Sequence, residues 1–377
     1  MKQVYRFSAP GRTEISGNQV DHQNGCVLAG AVNLETVAEV TLNDSSVVCV
    51  NSVGYAPVSV DLADLTVHED EKNTTAALVR GVAAAFAQRG AKLCGFDARV
   101  CSTVLPGSGL SSSAAFEVLI GTICNELFFD KRLTQVEIAQ IGQWAENVYF
   151  GKPCGLMDQM ASAVGGMVFI DFADSAKPVV ERLDFDFSAA HHALCIIDSG
   201  ADHADMTGEY AAVPGELKTL SALFGKSVLR EVSESEFFAA LPEIRHKVPD
   251  RAILRAVHFY QENARVRAQA AALHNNDFDT FLRLVNESGR SSWMYMQNVI
   301  PAGAVEHQDM GVALALCDTL LKGRGASRVH GGGFAGTVQA FVPMDMLDDF
   351  KAGIEAALGA GSCHVLSIRD KGSCRVC

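Results

Sequence analysis

The 377-residue sequence contains no apolar run long enough to cross a bilayer. Its first residues, Met1-Lys2-Gln3-Val4-Tyr5, lead into a glycine-arginine motif without the apolar core of a signal peptide. Both absences predict a cytoplasmic protein. Basic residues are in deficit, 31 Lys and Arg against 44 Asp and Glu, for a formal charge of -13. That balance argues against nucleic acid or an anionic membrane as the main partner, so an anionic ligand must be drawn in by a local site. Internal repeats and low-complexity linkers are missing. The 11 cysteines are scattered and odd in number, without the spacing of a disulfide framework. Cys49, Cys101, Cys124 and Cys195 lie in apolar segments, where reduced cysteine behaves as a small hydrophobe. Cys374-x-x-Cys377 has no second Cys or His pair at zinc spacing, which leaves a metal or redox role without support.

What the chain does have is a glycine turn running into a row of hydroxyls, Pro106-Gly107-Ser108-Gly109-Leu110-Ser111-Ser112-Ser113-Ala114-Ala115. It lacks the lysine of a Walker loop and the third glycine of a dinucleotide fingerprint. Protein-kinase His-Arg-Asp and Asp-Phe-Gly signatures are absent as well. A strand is predicted over 95–104 and a helix from 114 to 129, so the loop falls at a strand-to-helix junction. There, unpaired amides and the helix dipole attract phosphate, and glycine lets the backbone approach its oxygens. Taken alone, the segment also reads as a serine-capped helix after a tight turn.

Three further segments carry chemistry. Ala9-Pro10-Gly11-Arg12 predicts a loop arginine, suited to phosphate by its two-pronged fork. Asn18, Gln19, Asp21, His22, Gln23 and Asn24 follow closely, a density that suits a polar ligand or an ordinary polar turn, and Asp21 offers a partner for two neighbouring hydroxyls. Asp158, in Met157-Asp158-Gln159-Met160, is expected to be partly buried, either at a site where protons move or as a helix cap. Glu146 lies on a predicted helix as a hard oxygen ligand for magnesium or as a surface charge. Gly331-Gly332-Gly333-Phe334-Ala335-Gly336 is too glycine-rich for a simple turn and predicts backbone packed on backbone or ligand, or a hinge.

The length predicts two domains with a cleft between them. Strands are expected near 4–8, 26–41, 47–50, 167–171, 179–183, 193–198, 337–342 and 363–368. Helices are expected near 111–129, 134–150, 209–223, 250–275, 277–289, 303–322 and 344–359, with the boundary near 190.

Together, in this order, the segments resemble the galactokinase branch of the GHMP small-molecule kinases over nearly the whole chain. Pro10 to Gly25 is similar to the family's first motif, Pro106 to Ala115 to its phosphate loop and Gly331 to Gly336 to its glycine motif. More specific to galactokinases are Pro153-Cys154-Gly155-Leu156-Met157-Asp158-Gln159 and the stretch Asp198 to Tyr210 with His203 and Glu209-Tyr210. The resemblance implies an α+β protein of two domains. These are a ribosomal S5 domain 2-like domain over 1–190 and a ferredoxin-like domain over 191–377, with a monomer favoured.

It further implies ATP-dependent phosphorylation of a sugar's anomeric hydroxyl, with Arg12 and Asp158 as catalytic residues. Asp21 would bind the 3- and 4-hydroxyls, and Asn18, Gln19, Gly155 and Tyr210 would line the same pocket. Gly107, Ser108, Gly109, Leu110, Ser111, Ser112 and Ser113 would hold ATP, with Glu146 and Ser112 or Ser113 on Mg²⁺. Galactokinases usually have Glu-His where this chain has Asn18-Gln19, and Tyr-Asn where it has His22-Gln23. Plant galacturonate kinases are similar at Asp21-His22-Gln23. Galactose is therefore the expected substrate, with galacturonate or another C6 variant as the alternative. A non-catalytic sugar sensor on the same fold is the alternative from another class.

Overall fold

A computed structural model describes residues 2–104, 109–201, 206–334 and 336–376, with Thr207 described through its backbone alone. The expectations placed on Pro106, Gly107, Ser108, His203, Ala335 and Cys377 lie outside the described residues.

The first layer is a mixed sheet of β1 (Val4–Ser16), β2 (Cys26–Leu42), β3 (Val47–Ser52), β4 (Val58–Asp61), β5 (Phe96–Ser102), β6 (Met167–Asp171) and β7 (Val179–Leu183). Its spatial order is β1-β2-β5-β3-β4, with β6 pairing the start of β2 on the edge opposite β1 and β7 pairing β6. Alternation sets the faces: Phe96, Ala98 and Val100 of β5 are buried while Asp97, Arg99 and Cys101 point outward. Four helices cover the inner face, α1 (Thr75–Gln88), α2 (Ser112–Phe128), α3 (Gln135–Ala145) and α4 (Met157–Val164). Helix α2 is buried continuously from Ala114 to Asn125 because it packs on β1 and β2 with the other three helices around it.

β1 runs through the segment predicted to be a loop. Its register shifts between Pro10 and Arg12, a β-bulge that accommodates Pro10 and Gly11. Arg12 is therefore a strand residue, and its placement is correspondingly fixed.

The second sheet contains β8 (His192–Asp198), β9 (Ala326–His330), β10 (Thr337–Pro343) and β11 (Cys363–Leu366). Its order is β11-β8-β10-β9, antiparallel throughout, the strand order of the expected ferredoxin-like domain. Between β8 and β9 come α5 (Thr207–Ala222), α6 (Glu234–Ile244), α7 (Asp250–His274), α8 (Phe278–Ser291) and α9 (Asp309–Leu321), and α10 (Leu347–Leu358) precedes β11. The chain then returns to the first sheet: Val32 bridges Ile368, and β12 (Cys374–Arg375) pairs with β1.

A buried polar seam joins the layers. Arg328 of β9 donates to the Glu14 carboxylate at 2.7 Å and to its carbonyl at 2.9 Å. Gln339 of β10 donates to Thr13 and to the Glu14 carbonyl. His330 contacts Thr13 Oγ1 and accepts from the Glu14 amide. Burial and the charges of Arg12 and Arg328 hold this imidazole well below its usual pKa, so it is neutral.

Candidate active site

β1, the start of α2 and the start of α4 converge on one constellation. Arg12 grips Asp158 with both prongs, Nε to Oδ1 and Nη2 to Oδ2, each at 2.6 Å. Its third nitrogen, Nη1, donates to the Gly109 carbonyl, and its backbone amide donates to Leu110 at 3.0 Å. Ser111 completes the group, donating to Asp158 Oδ2 at 2.7 Å. Burial raises the Asp158 carboxyl, but the Arg12 charge and fork outweigh it and hold the group below the usual carboxylate range. Asp158, a partly buried residue in the first turn of α4, thus presents a persistent carboxylate beside a fixed guanidinium.

Asp21 stands across from them. Burial, then the charges of Asp158 and Glu14, push its carboxyl up to about 7, against the weaker pull of Arg12. Gly155 meets it directly: a Cβ there would lie 1.8 Å from Asp21 Oδ2. The absent side chain at Gly155 is what leaves the Asp21 carboxylate its place.

Asn18 and Gln19 are not placed alike. Asn18 is fully buried; its amide donates to Glu14 and to the Gly331 carbonyl, and its oxygen accepts from Ser292 and Asn298. Its hydrogen-bonding capacity is used inside the fold, which differs from the expectation that it lines a ligand pocket. Gln19 is half-buried and donates to the Gly332 carbonyl at 3.0 Å. Tyr210 donates to the Gly333 carbonyl at 2.9 Å and sits edge-on against Phe334. Three successive carbonyls of the glycine motif therefore accept from Asn18, Gln19 and Tyr210. The motif packs closely besides: a Cβ at Gly332 would meet the Tyr210 ring at 2.6 Å, and one at Gly333 would meet the Asn298 carbonyl at 2.0 Å. The backbone-packing expectation holds at Gly332 and Gly333.

The described residues of the phosphate loop, Gly109 to Ser113, divide between packing and a face open to ligand. Gly109, at φ +70°, approaches so closely that a Cβ would lie 2.8 Å from Thr337 Oγ1. Leu110 is a core side chain, and Ser111 faces Asp158. Ser112 and Ser113, at the start of α2, line a cavity of about 890 Å³ with Val53, Tyr55, Leu78 and Phe150. Apolar walls ending in helix-start hydroxyls suit a planar base with a phosphate tail. Another cavity of about 720 Å³, between Leu183, Phe185, His192 and Leu366, shares none of these residues.

Glu146 is 3% exposed, which removes the surface-charge reading. It opens a π-helical turn, Glu146–Phe150, at the end of α3. Its Oε1 accepts from Ser113 at 3.2 Å, and its Oε2 accepts from Gln159 at 2.8 Å. The Gln159 amide nitrogen also donates to Glu117 at 2.9 Å. Burial and then the Glu146 charge hold the Glu117 carboxyl well above its usual pKa. Glu117 was not singled out from the sequence, and Gln159 only as part of its stretch, although Glu117 is the one charged residue in the apolar run 114–124. Among the described residues no three His, Cys, Asp or Glu side chains form a ready metal site. Glu146 with Ser113 still offers the hard oxygen donors on which magnesium rests when phosphates and water supply the remaining ligands.

Comparison with known proteins gives matches along the chain. Residues 2–42 match the galactokinase galactose-binding signature, and residues 77–166 match the GHMP kinases N terminal domain. A galactokinase of Streptomyces coelicolor is 31% identical over 359 residues, spanning 94% of this chain and 88% of the relative. The crystal structure of Lactococcus lactis galactokinase complexed with galactose superimposes with a TM-score of 0.84 at 23% identity, covering 99% of this chain and 95% of that one. A mevalonate kinase structure superimposes with a TM-score of 0.68 at 12% identity, covering 97% and 99%.

Proposed function

Since this chain belongs to the galactokinase family and has the GHMP kinase fold, we propose that it transfers the γ-phosphoryl group of ATP to the anomeric oxygen of galactose. The observation that carries this reading is the bidentate Arg12–Asp158 pair facing Asp21 at the start of α2.

In this reading the galactose 3- and 4-hydroxyls donate to Asp21, whose carboxylate occupies the space that Gly155 leaves. The anomeric hydroxyl lies beside the joined Arg12–Asp158 pair. Asp158 orients that hydroxyl and accepts its proton as the O–P bond forms, while Arg12 stabilises negative charge on the alkoxide and on the transferring phosphoryl group. Because the Asp158 carboxyl is held low, its contribution comes through position and field more than through intrinsic basicity. The leaving ADP remains at the start of α2 near Ser112 and Ser113, with its base between Tyr55 and Phe150. Glu146 and Ser113 would hold Mg²⁺, which when bound neutralises the β- and γ-phosphates.

Charge favours the neutral sugar over galacturonate. The groups acting on Asp21 are the carboxylates of Asp158 and Glu14 and a guanidinium already committed to Asp158. A C6 carboxylate entering this field meets like charge. The intact Arg12–Asp158–Ser111 arrangement supports an enzyme over a sugar sensor. We read the protein as cytoplasmic; among the described residues no helix is long and apolar enough to cross a membrane. An ADP-release screen with galactose, galacturonate, N-acetylgalactosamine and arabinose tests the proposal. Galactose should give the highest kcat/KM, and a higher value for galacturonate would overturn the substrate assignment.

A further inference from the structure

The π-helical turn that ends α3 folds the next residues back over its own start. The amides of Gly151 and Lys152 both donate to the Glu146 carbonyl, at 3.0 and 3.2 Å, with Gly151 in the left-handed region at φ +85°. Asn147 accepts from the Cys154 amide at 2.7 Å and pins the far end of this loop. As a result the Lys152 ammonium stands 3.7 Å from Glu146 Oε1, the oxygen that also accepts from Ser113 at the start of α2. The Lys152 side chain is 63% exposed although its carboxylate partner is buried, so the charge faces open space beside the phosphate loop. The same ammonium pulls the Asp158 and Glu117 carboxyls downward, which puts it within electrostatic reach of both halves of the site.

We propose that Lys152 is a phosphate-binding residue for the transferring end of ATP, supplying a mobile cation that Arg12 does not provide. Arg12 has its Nε and both Nη groups engaged by Asp158 and Gly109. A chain with a formal charge of -13 must still attract a polyanion, and a flexible lysine beside a helix start is suited to that task. The contact to Glu146 is long for a charge-assisted hydrogen bond, so Lys152 can exchange it for a phosphate oxygen as Glu146 turns to a cation.

This inference rests on the kinase reading above, and the test separates the two. Calorimetry would compare wild type, Lys152→Met and Lys152→Arg for binding of the magnesium complex of the β,γ-imido analogue of ATP and of AMP, alongside steady-state kinetics. Lys152→Met should weaken the triphosphate analogue about tenfold, equivalent to ~1.4 kcal/mol, and flatten the salt dependence of its binding. AMP affinity and the KM for galactose should stay within about twofold, and Lys152→Arg should retain most of the triphosphate affinity. Unchanged affinity for the analogue in a folded Lys152→Met protein overturns the proposal, as does an equal loss for AMP or galactose. A wild type that binds the analogue through Lys152 yet does not turn over galactose would keep this inference and defeat only the sugar assignment.

Discussion

At the scale of single residues, two carboxylates a short distance apart are driven in opposite directions, and this division assigns their tasks. Asp158 is held ionised by Arg12, whereas Asp21 is raised to about 7 by burial and by its acidic neighbours. Replacing Asp158 with Asn should lower kcat by roughly 10²–10⁴-fold with little change in nucleotide affinity. A mutant retaining half the wild-type kcat would remove Asp158 from the mechanism. Asp21 predicts a pH limb. Its ionised form accepts from the sugar hydroxyls, so kcat/KM for galactose should fall as pH drops below about 7, with ATP affinity unaffected.

Stability carries the opposite sign. With its folded-state pKa above the unfolded value, Asp21 binds more protons in the folded chain between about pH 4 and 7. Stability therefore declines as pH rises through that window, and Asp21→Asn should gain at pH 8 what it does not gain at pH 4. The upper bound is about 4 kcal/mol, from ~1.4 kcal/mol per pKa unit. Equal denaturation midpoints for mutant and wild type at pH 8 would contradict the raised pKa.

At the scale of elements, close backbone approach sets the site. Gly155→Ala places a methyl into the Asp21 carboxylate, so it should raise the KM for galactose at least about tenfold while leaving the KM for MgATP within about twofold. Equal changes in both constants would mean a general loss of structure. Helices α7 and α8 were legible because each buries one regular face, while the phosphate-loop helix and the strands at 167–171 and 179–183 were legible as runs rich in apolar residues. Other elements were not. β9 escaped notice because its buried residues include Arg328 and His330, whose partners lie more than 300 residues away in β1. Pro10-Gly11 read as chain breakers, yet within a buried strand they form a bulge that Arg12 follows. Helices α1 and α6 were not anticipated, although α1 is capped by Thr74 and rich in alanine. The predicted helix over 303–322 begins only at Asp309, beyond Pro301 and Gly303. Asn18 marks the limit for site residues: the side it faces depends on Asn298 and Gly331, which spacing within its own segment does not reveal.

At the scale of the molecule, a polar seam fixes the two layers relative to each other and so fixes Asp21 relative to the glycine motif. Arg328→Met should destabilise the protein by about 3–5 kcal/mol, because it strands the buried Glu14 carboxylate. Glu14→Gln combined with Arg328→Met should recover part of that loss. A single-mutant cost under about 1 kcal/mol, read from denaturant midpoints, would show that the seam does not hold the layers together.

The central claim is phosphoryl transfer to the anomeric oxygen at the Arg12–Asp158 pair. The most direct test is phosphorus and proton NMR of the product formed from galactose and ATP by wild type and Asp158→Asn. The account predicts galactose 1-phosphate, identified by coupling of phosphorus to the anomeric proton, accumulating with magnesium in the wild type and at most about a hundredth as fast in the mutant. Phosphate on another hydroxyl, or product forming equally fast in both proteins, would contradict it.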